Sequence, residues 1–192
     1  MKPRDQFRVY AINGSSRTTA SKTARRLESI VKGFPKEEVH AEIIHLSEES
    51  LDFCDGTQNP RRTEDIDKLL KRLERADGII FGTPTYWFNM SARMKNLFDR
   101  LTVTEKNNEY TLEGIVGGFV ATGDAKEDGA MIAISGMAAT AIHLGMITFP
   151  YSMLYFRGAR GPGWAEQEIK DFPRRMLKMM RFGRRQRKEG WI

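Results

Sequence analysis

Three short stretches carry the residues from which binding chemistry can be built. The first is Gly14-Ser-Ser-Arg-Thr-Thr-Ala-Ser-Lys-Thr23, a polar loop that runs into a helix. A helix N-terminus with free backbone N–H groups favours a phosphate. Ser15, Ser21 and Thr23 offer hydroxyl hydrogens, and Arg17 offers a guanidinium fork that matches phosphate oxygens. Lys22 stands beside them, with a side chain equally able to point outward. The alternative for such a loop is an N-cap cluster with a solvated arginine. The second stretch, Gly82 to Arg100, places Tyr86, Trp87, Phe88 and Asn89 between an apolar run and an amphipathic helix. Three consecutive aromatics are costly to leave in water, so something flat is expected to cover them. That cover is a planar ligand, whose polar edge the N–H groups near Phe88 and Asn89 would meet, or else a neighbouring loop or second subunit. The third stretch offers Thr122, Gly123 and Asp124 at the end of an apolar segment.

The elements that position these stretches follow from hydrophobic periodicity. Strands are expected at 7–14, 39–46, 77–83, 114–122 and 148–156. Helices are expected from about 20 to 33, 66 to 73, 91 to 101, 129 to 145 and 167 to 188. Pro173 is expected in the first turn of the regular part of the last helix, where a missing N–H costs little. Gly117 and Gly118, inside a strand, imply close approach by another backbone or ring. Alternating strands and helices predict a doubly wound parallel α/β sheet. No G-x-G-x-x-G follows the first strand, and no G-x-x-x-x-G-K-[ST] occurs. What remains is the flavodoxin-like order 2-1-3-4-5 with five strands. In that order the three stretches follow three neighbouring strands and meet beyond their carboxyl ends. A phosphate site, an aromatic platform and no metal cluster together describe FMN.

Length and composition narrow the class. The 192 residues suit one domain spanning 1–192, and 40% hydrophobic with 29% charged residues suits a soluble protein. Cys54 is the lone cysteine, which excludes an internal disulfide and fits a reducing, cytoplasmic setting. No apolar leader follows Met1. Residues 129–156 lack Asp, Glu, Lys and Arg, yet Ser, Thr, Gly and Pro150 punctuate them. They are expected to form a buried helix and strand rather than a membrane span. The net charge of +6 is concentrated in a basic helix and tail over 170–192. This is expected to be a solvated face, with no nucleic-acid role. The methionine-rich surfaces (Met131, Met137, Met146, Met153 and Met176 to Met180) are expected in the core or at a subunit interface. His40, His45 and His143 are expected to be structural, and no catalytic acid or base stands out.

Two quoted segments also carry a family likeness. Asn13-Gly-Ser-Ser-Arg-Thr-Thr-Ala-Ser-Lys22 resembles the phosphate loop of the NADPH-dependent FMN reductase family. Thr83-Pro-Thr-Tyr-Trp-Phe-Asn-Met-Ser-Ala-Arg-Met-Lys-Asn-Leu-Phe-Asp-Arg100 is similar to that family's ring-binding loop and following helix. The resemblance implies a flavodoxin-like fold, bound FMN, NAD(P)H as donor, a small-molecule electron acceptor, and homodimers or homotetramers. By position it puts Ser15, Arg17, Ser21 and Lys22 at the phosphate. It puts Pro84, Thr85, Tyr86, Trp87, Phe88 and Asn89 at the ring. Iron–sulfur flavoproteins share the pattern and carry a compact cysteine motif after the second strand. Here the excursion over 47–63 keeps Cys54 alone, so no cluster is expected, though the excursion and the Ala- and Met-rich helix over 129–145 are the candidate subunit surfaces. Hydride transfer between nicotinamide and flavin asks the protein for orientation rather than for an acid or base. A donor that stacks, leaves and is replaced by an acceptor gives a ping-pong cycle. The loop from Thr122 to Gly129 holds no aromatic, which leaves one ring face open to that donor; the alternative is a flavodoxin-like FMN-binding electron carrier serving a protein partner.

Overall fold

The computed structural model describes residues 6–56, 64–101, 105–106, 109–124, 129–157 and 163–189. Five strands form the central parallel sheet: β1 (Phe7–Asn13), β2 (Val39–His45), β3 (Gly78–Tyr86), β7 (Val116–Gly123) and β8 (Met153–Arg157). Their order is β2-β1-β3-β7-β8. This is the expected flavodoxin-like order. A short sixth strand, β4 (Asn89–Met90), adds antiparallel to β3. A separate two-stranded ribbon, β5 (Glu105–Lys106) with β6 (Glu109–Tyr110), was not legible in the sequence pattern.

Successive side chains of a strand point to opposite faces, and both faces of this sheet are covered. Tyr10, Ile12, Ile79 and Phe81 pack towards α2 (Glu64–Leu73), α3 (Ala92–Arg100) and α4 (Gly129–His143). Val9, Ala11 and Ile80 pack the other way, against Leu27 and Ile30 of α1 (Lys22–Lys32) and Phe172 and Met176 of α5 (Gly163–Glu189). The methionines divide. Met137, Met146, Met176 and Met180 are buried, while Met131 and Met153 stand exposed.

Gly118 is where a ring approaches closely, as its place in a strand predicts. A Cβ there would lie 2.5 Å from Cζ of Phe172. Phe172 is itself fully buried, so it has no room to retreat. Gly118→Ala is therefore expected to destabilise the fold by about 1–3 kcal/mol. A denaturant midpoint equal to that of the unsubstituted protein would contradict this packing.

Element boundaries depart most from the sequence reading in three places. β3 continues through Pro84 to Tyr86, because β7 pairs with it as far as Pro84↔Thr122 and β4 takes over at Thr85. A proline inside a run normally signals its end, which is why the expected strand stopped at Thr83. The last strand begins at Met153 rather than 148, since Ile147 makes a single bridge to Val116 and Tyr151 turns left-handed at φ 62°. α5 begins at Gly163, which places Pro173 in its interior rather than in a first turn. Pro173 there faces Gly33, whose missing side chain leaves the space it occupies; a Cβ on Gly33 would be 2.9 Å from Cγ of Pro173.

Candidate functional site

β1, β3 and β7 are adjacent and parallel, so their carboxyl ends open on one edge of the sheet. The loop after β1 is built around Asn13, which is fully buried. Its Oδ1 accepts from the Ser15 N–H at 3.1 Å, and its Nδ2 donates to the Arg17 carbonyl at 3.3 Å. The same Nδ2 lies 2.9 Å from Nδ1 of His45. An amide nitrogen only donates, so Nδ1 accepts. Ser15 Oγ accepts from the Arg17 N–H at 3.1 Å, which leaves its hydroxyl hydrogen available. The loop backbone is thus fixed while the Arg17 and Lys22 side chains stay exposed.

Ser21 is the N-cap of α1, accepting from the Ala24 N–H at 3.1 Å. Its hydroxyl hydrogen is likewise not used by that bond. Thr23 is buried, and its Oγ1 sits 2.6 Å from Oγ1 of Thr122. That pair ties the first turn of α1 to the end of β7. Thr85 adds a bond of 3.4 Å to the Thr122 carbonyl. Thr23, Thr85 and Thr122 therefore tie α1 and the end of β3 to the end of β7. Gly123 is buried and Asp124 exposed at the same edge. Residues 57–63 of the excursion, 125–128 of the third loop and 190–192 of the tail lie outside the described residues.

The aromatic stretch is a hairpin. Tyr86 pairs with Asn89, and Trp87 and Phe88 form the two-residue turn. Both turn residues are left-handed, with φ of 49° and 64°. Positive φ at both central positions is the mark of a type I′ turn, which normally takes Asn-Gly. An L-residue with a bulky side chain resists this region. The aromatics are not held there by burial, for Trp87 is 87% exposed and Tyr86 and Phe88 are 53% and 51% exposed. Backbone strain of this kind clusters where a ligand is held. Pro84 is half-buried, and the Asn89 side chain accepts from the Met90 N–H. α4 begins against the hairpin: a Cβ on Gly129 would lie 2.3 Å from Cα of Phe88.

Asn13, Ser91 and Gly129 are the site residues that sequence reasoning missed. Ser91 caps α3 by accepting from the Met94 N–H, and its hydroxyl donates to the Gly14 carbonyl at 2.7 Å. Its own N–H donates to Thr83 Oγ1 at 2.9 Å. One serine thus couples the first loop to the aromatic hairpin. A serine just ahead of the periodic Met94, Leu97 and Phe98 was a legible cap signal. Ser91→Ala removes the cap and leaves the Gly14 carbonyl without its donor. We expect a loss of about 1–3 kcal/mol in thermal unfolding of the unliganded protein. An unchanged melting temperature would show that Ser91 is not a joint.

The front of the excursion is anchored on α3. The side chain of Asn96 donates to the carbonyls of Leu51 and Asp52 and accepts from the Cys54 N–H. Cys54 is a free, half-buried thiol. Among the described residues no group of three His, Cys, Asp or Glu is placed to hold a metal.

Residues 7–160 match the NADPH-dependent FMN reductase family. An iron–sulfur flavoprotein of Archaeoglobus fulgidus is 33% identical over 153 residues, which is 77% of this chain and 74% of that protein. An NAD(P)H-dependent FAD/FMN reductase of Geobacillus thermodenitrificans is 33% identical over 86 residues, 45% of this chain and 43% of that one. A solved structure of RosB with a bound flavin intermediate superposes with a TM-score of 0.77 at 19% identity, covering 92% of this chain and 79% of the other. At that identity the superposition speaks for the fold. The exposed aromatic turn beside a serine- and arginine-bearing helix N-terminus suits FMN. The chain belongs to the NADPH-dependent FMN reductase family and, as a member of it, is an FMN-dependent NAD(P)H oxidoreductase.

Proposed function

We propose that this chain holds FMN at the carboxyl edge of β1, β3 and β7 and passes electrons from NAD(P)H to a small acceptor such as a free flavin or a quinone. The observation that carries this is the Trp87-Phe88 turn, strained and exposed, beside a phosphate-type loop. When bound, FMN supplies the two-electron redox chemistry of its ring. Ser15, Ser21, Arg17 and Lys22 hold the phosphate, with Arg17 and Lys22 supplying the positive charge. Tyr86, Trp87 and Phe88 support the ring, with Pro84, Thr85 and Asn89 shaping its rim. Thr23, Thr122 and Gly123 fix the edge against which ring and ribityl chain lie, and Asp124 borders it. The chain's task towards the donor is to orient it and leave room for it.

The acceptor is a diffusible small molecule, and the working form is a homodimer or homotetramer in a reducing, cytoplasmic setting. The lone Cys54 supports that setting. Among the described residues no helix is long and apolar enough to cross a membrane. Steady-state rates with NADPH and a quinone are expected to give parallel double-reciprocal lines, because donor and acceptor use one face in turn. Intersecting lines would require both to be bound together and would reject that shared face.

A further inference from the structure

Two apolar rows of the sheet end in polar side chains at the same place. Alternate residues of a strand share one face. Phe7, Val9 and Ala11 of β1 pack towards α1 and α5, and Asn13 stands next in that row. Val39, Ala41 and Ile43 of β2 pack the same way, and His45 stands next in theirs. Asn13 and His45 are partners in the parallel register, so their side chains are neighbours on one face. Backbone bonds hold both strand ends. The Leu46 N–H donates to the Asn13 carbonyl and the Glu48 N–H to the His45 carbonyl, each at 3.0 Å. Asn13 is fully buried and His45 half-buried, and a buried polar group is costly unless it is hydrogen-bonded.

The Asn13 amide has one orientation that satisfies its partners. The Ser15 N–H only donates, so the atom 3.1 Å from it is Oδ1. The Arg17 carbonyl only accepts, so the atom 3.3 Å from it is Nδ2. One Nδ2 hydrogen goes to that carbonyl. The other points at His45 Nδ1, 2.9 Å away, the shortest of the three bonds. The loop thus sets the amide, and His45 has to supply an acceptor. Its ring does so with the hydrogen on Nε2.

What this amide ties down is the first loop, through Ser15 and Arg17. Without the His45 acceptor one buried N–H of Asn13 is left unmade. The amide then relaxes by turning away from Ser15 or Arg17. A loop free to do so must be reordered each time a phosphate binds, and that cost is taken from the affinity.

We propose that His45 is a positioning residue of the phosphate loop, setting Ser15 and Arg17 for the FMN phosphate by acting through Asn13. The proposal rests on the reading of the first loop as the FMN phosphate site. Calorimetric titration of FMN and of riboflavin into the full chain tests it. His45→Phe keeps a ring and removes the acceptor. It is expected to weaken FMN about tenfold, the scale of one buried donor left unmade, and to leave riboflavin unchanged. His45→Asn restores an acceptor in place, because Asn Oδ1 is two bonds from Cβ as His Nδ1 is. It is expected to bind FMN as the unsubstituted protein does. His45→Val, a strand former without an acceptor, is the second probe and is expected to match His45→Phe, including where the larger ring fails to fold. Unsubstituted protein that binds FMN no more tightly than riboflavin would overturn the phosphate reading and the proposal with it. FMN binding undiminished in His45→Val would overturn the proposal alone. So would equal losses for FMN and riboflavin, or a His45→Asn variant as weak for FMN as His45→Val, since both mark a histidine that only supports the fold.

Discussion

Replacing Arg17 by alanine is expected to weaken FMN binding by about tenfold to a hundredfold and to leave riboflavin binding unchanged. A charge-assisted hydrogen bond to an ionised group contributes roughly 1.5–3 kcal/mol. The Arg17 side chain is exposed at the head of α1, where an incoming phosphate would also meet the helix N-terminus. Its own contribution to the loop is made by the backbone: the N–H donates to Ser15 Oγ and the carbonyl accepts from Asn13. Alanine keeps both bonds, so the loop is expected to hold its shape. Riboflavin lacks the phosphate and serves as the internal control. Calorimetric titration of both ligands separates the cases. Equal losses for FMN and riboflavin would mean that Arg17 supports the fold or the ring rather than the phosphate.

The double substitution Trp87→Asn/Phe88→Gly is expected to stabilise the unliganded protein while weakening every flavin. Left-handed backbone costs an L-residue roughly 1–2 kcal/mol, and Asn-Gly is the pair that a type I′ turn favours. Trp87 and Phe88 are largely exposed, so little core packing is lost in exchange. A gain of about 1–3 kcal/mol in unfolding free energy is expected. Stacking of a flat heterocycle on an aromatic side chain contributes about 1–3 kcal/mol, so affinity is expected to fall by about fivefold to a hundredfold. This loss is the same for FMN and riboflavin, which distinguishes it from that of Arg17→Ala. A less stable variant, or one with unchanged flavin affinity, would show that these aromatics serve the fold.

The parts of this account legible in the sequence are those with local causes. The cap at Ser21 matches the N-cap cluster weighed as the alternative for its loop, a hydroxyl just ahead of a periodic apolar face. The strand order followed from apolar runs alternating with helices and from the absence of two glycine signatures. Gly118 announced its ring neighbour because glycine inside a strand needs a reason. The hairpin was hidden for the opposite cause. Trp-Phe has no turn chemistry, and Pro84 suggests a strand end. Asn13 was hidden because its partners include His45, 32 residues away and on the neighbouring strand. The run that forms α4 reads both as a buried helix and as a candidate subunit surface, because an uncharged run fits either. Half of it is buried, and Met131, Ile132 and Ile142 are not.

Anaerobic addition of NADPH to the FMN-loaded protein tests the central claim most directly. An oxidoreductase of this kind leaves one ring face open to a flat, diffusible donor. The sequence from Thr122 to Gly129 has no aromatic to close that face. The account predicts that stoichiometric NADPH or NADH bleaches the visible flavin absorbance without any protein partner, and that a quinone restores it. Protein that holds FMN firmly yet shows no bleaching at millimolar concentrations of either nucleotide would contradict it, and would mark the chain as a carrier fed by another protein.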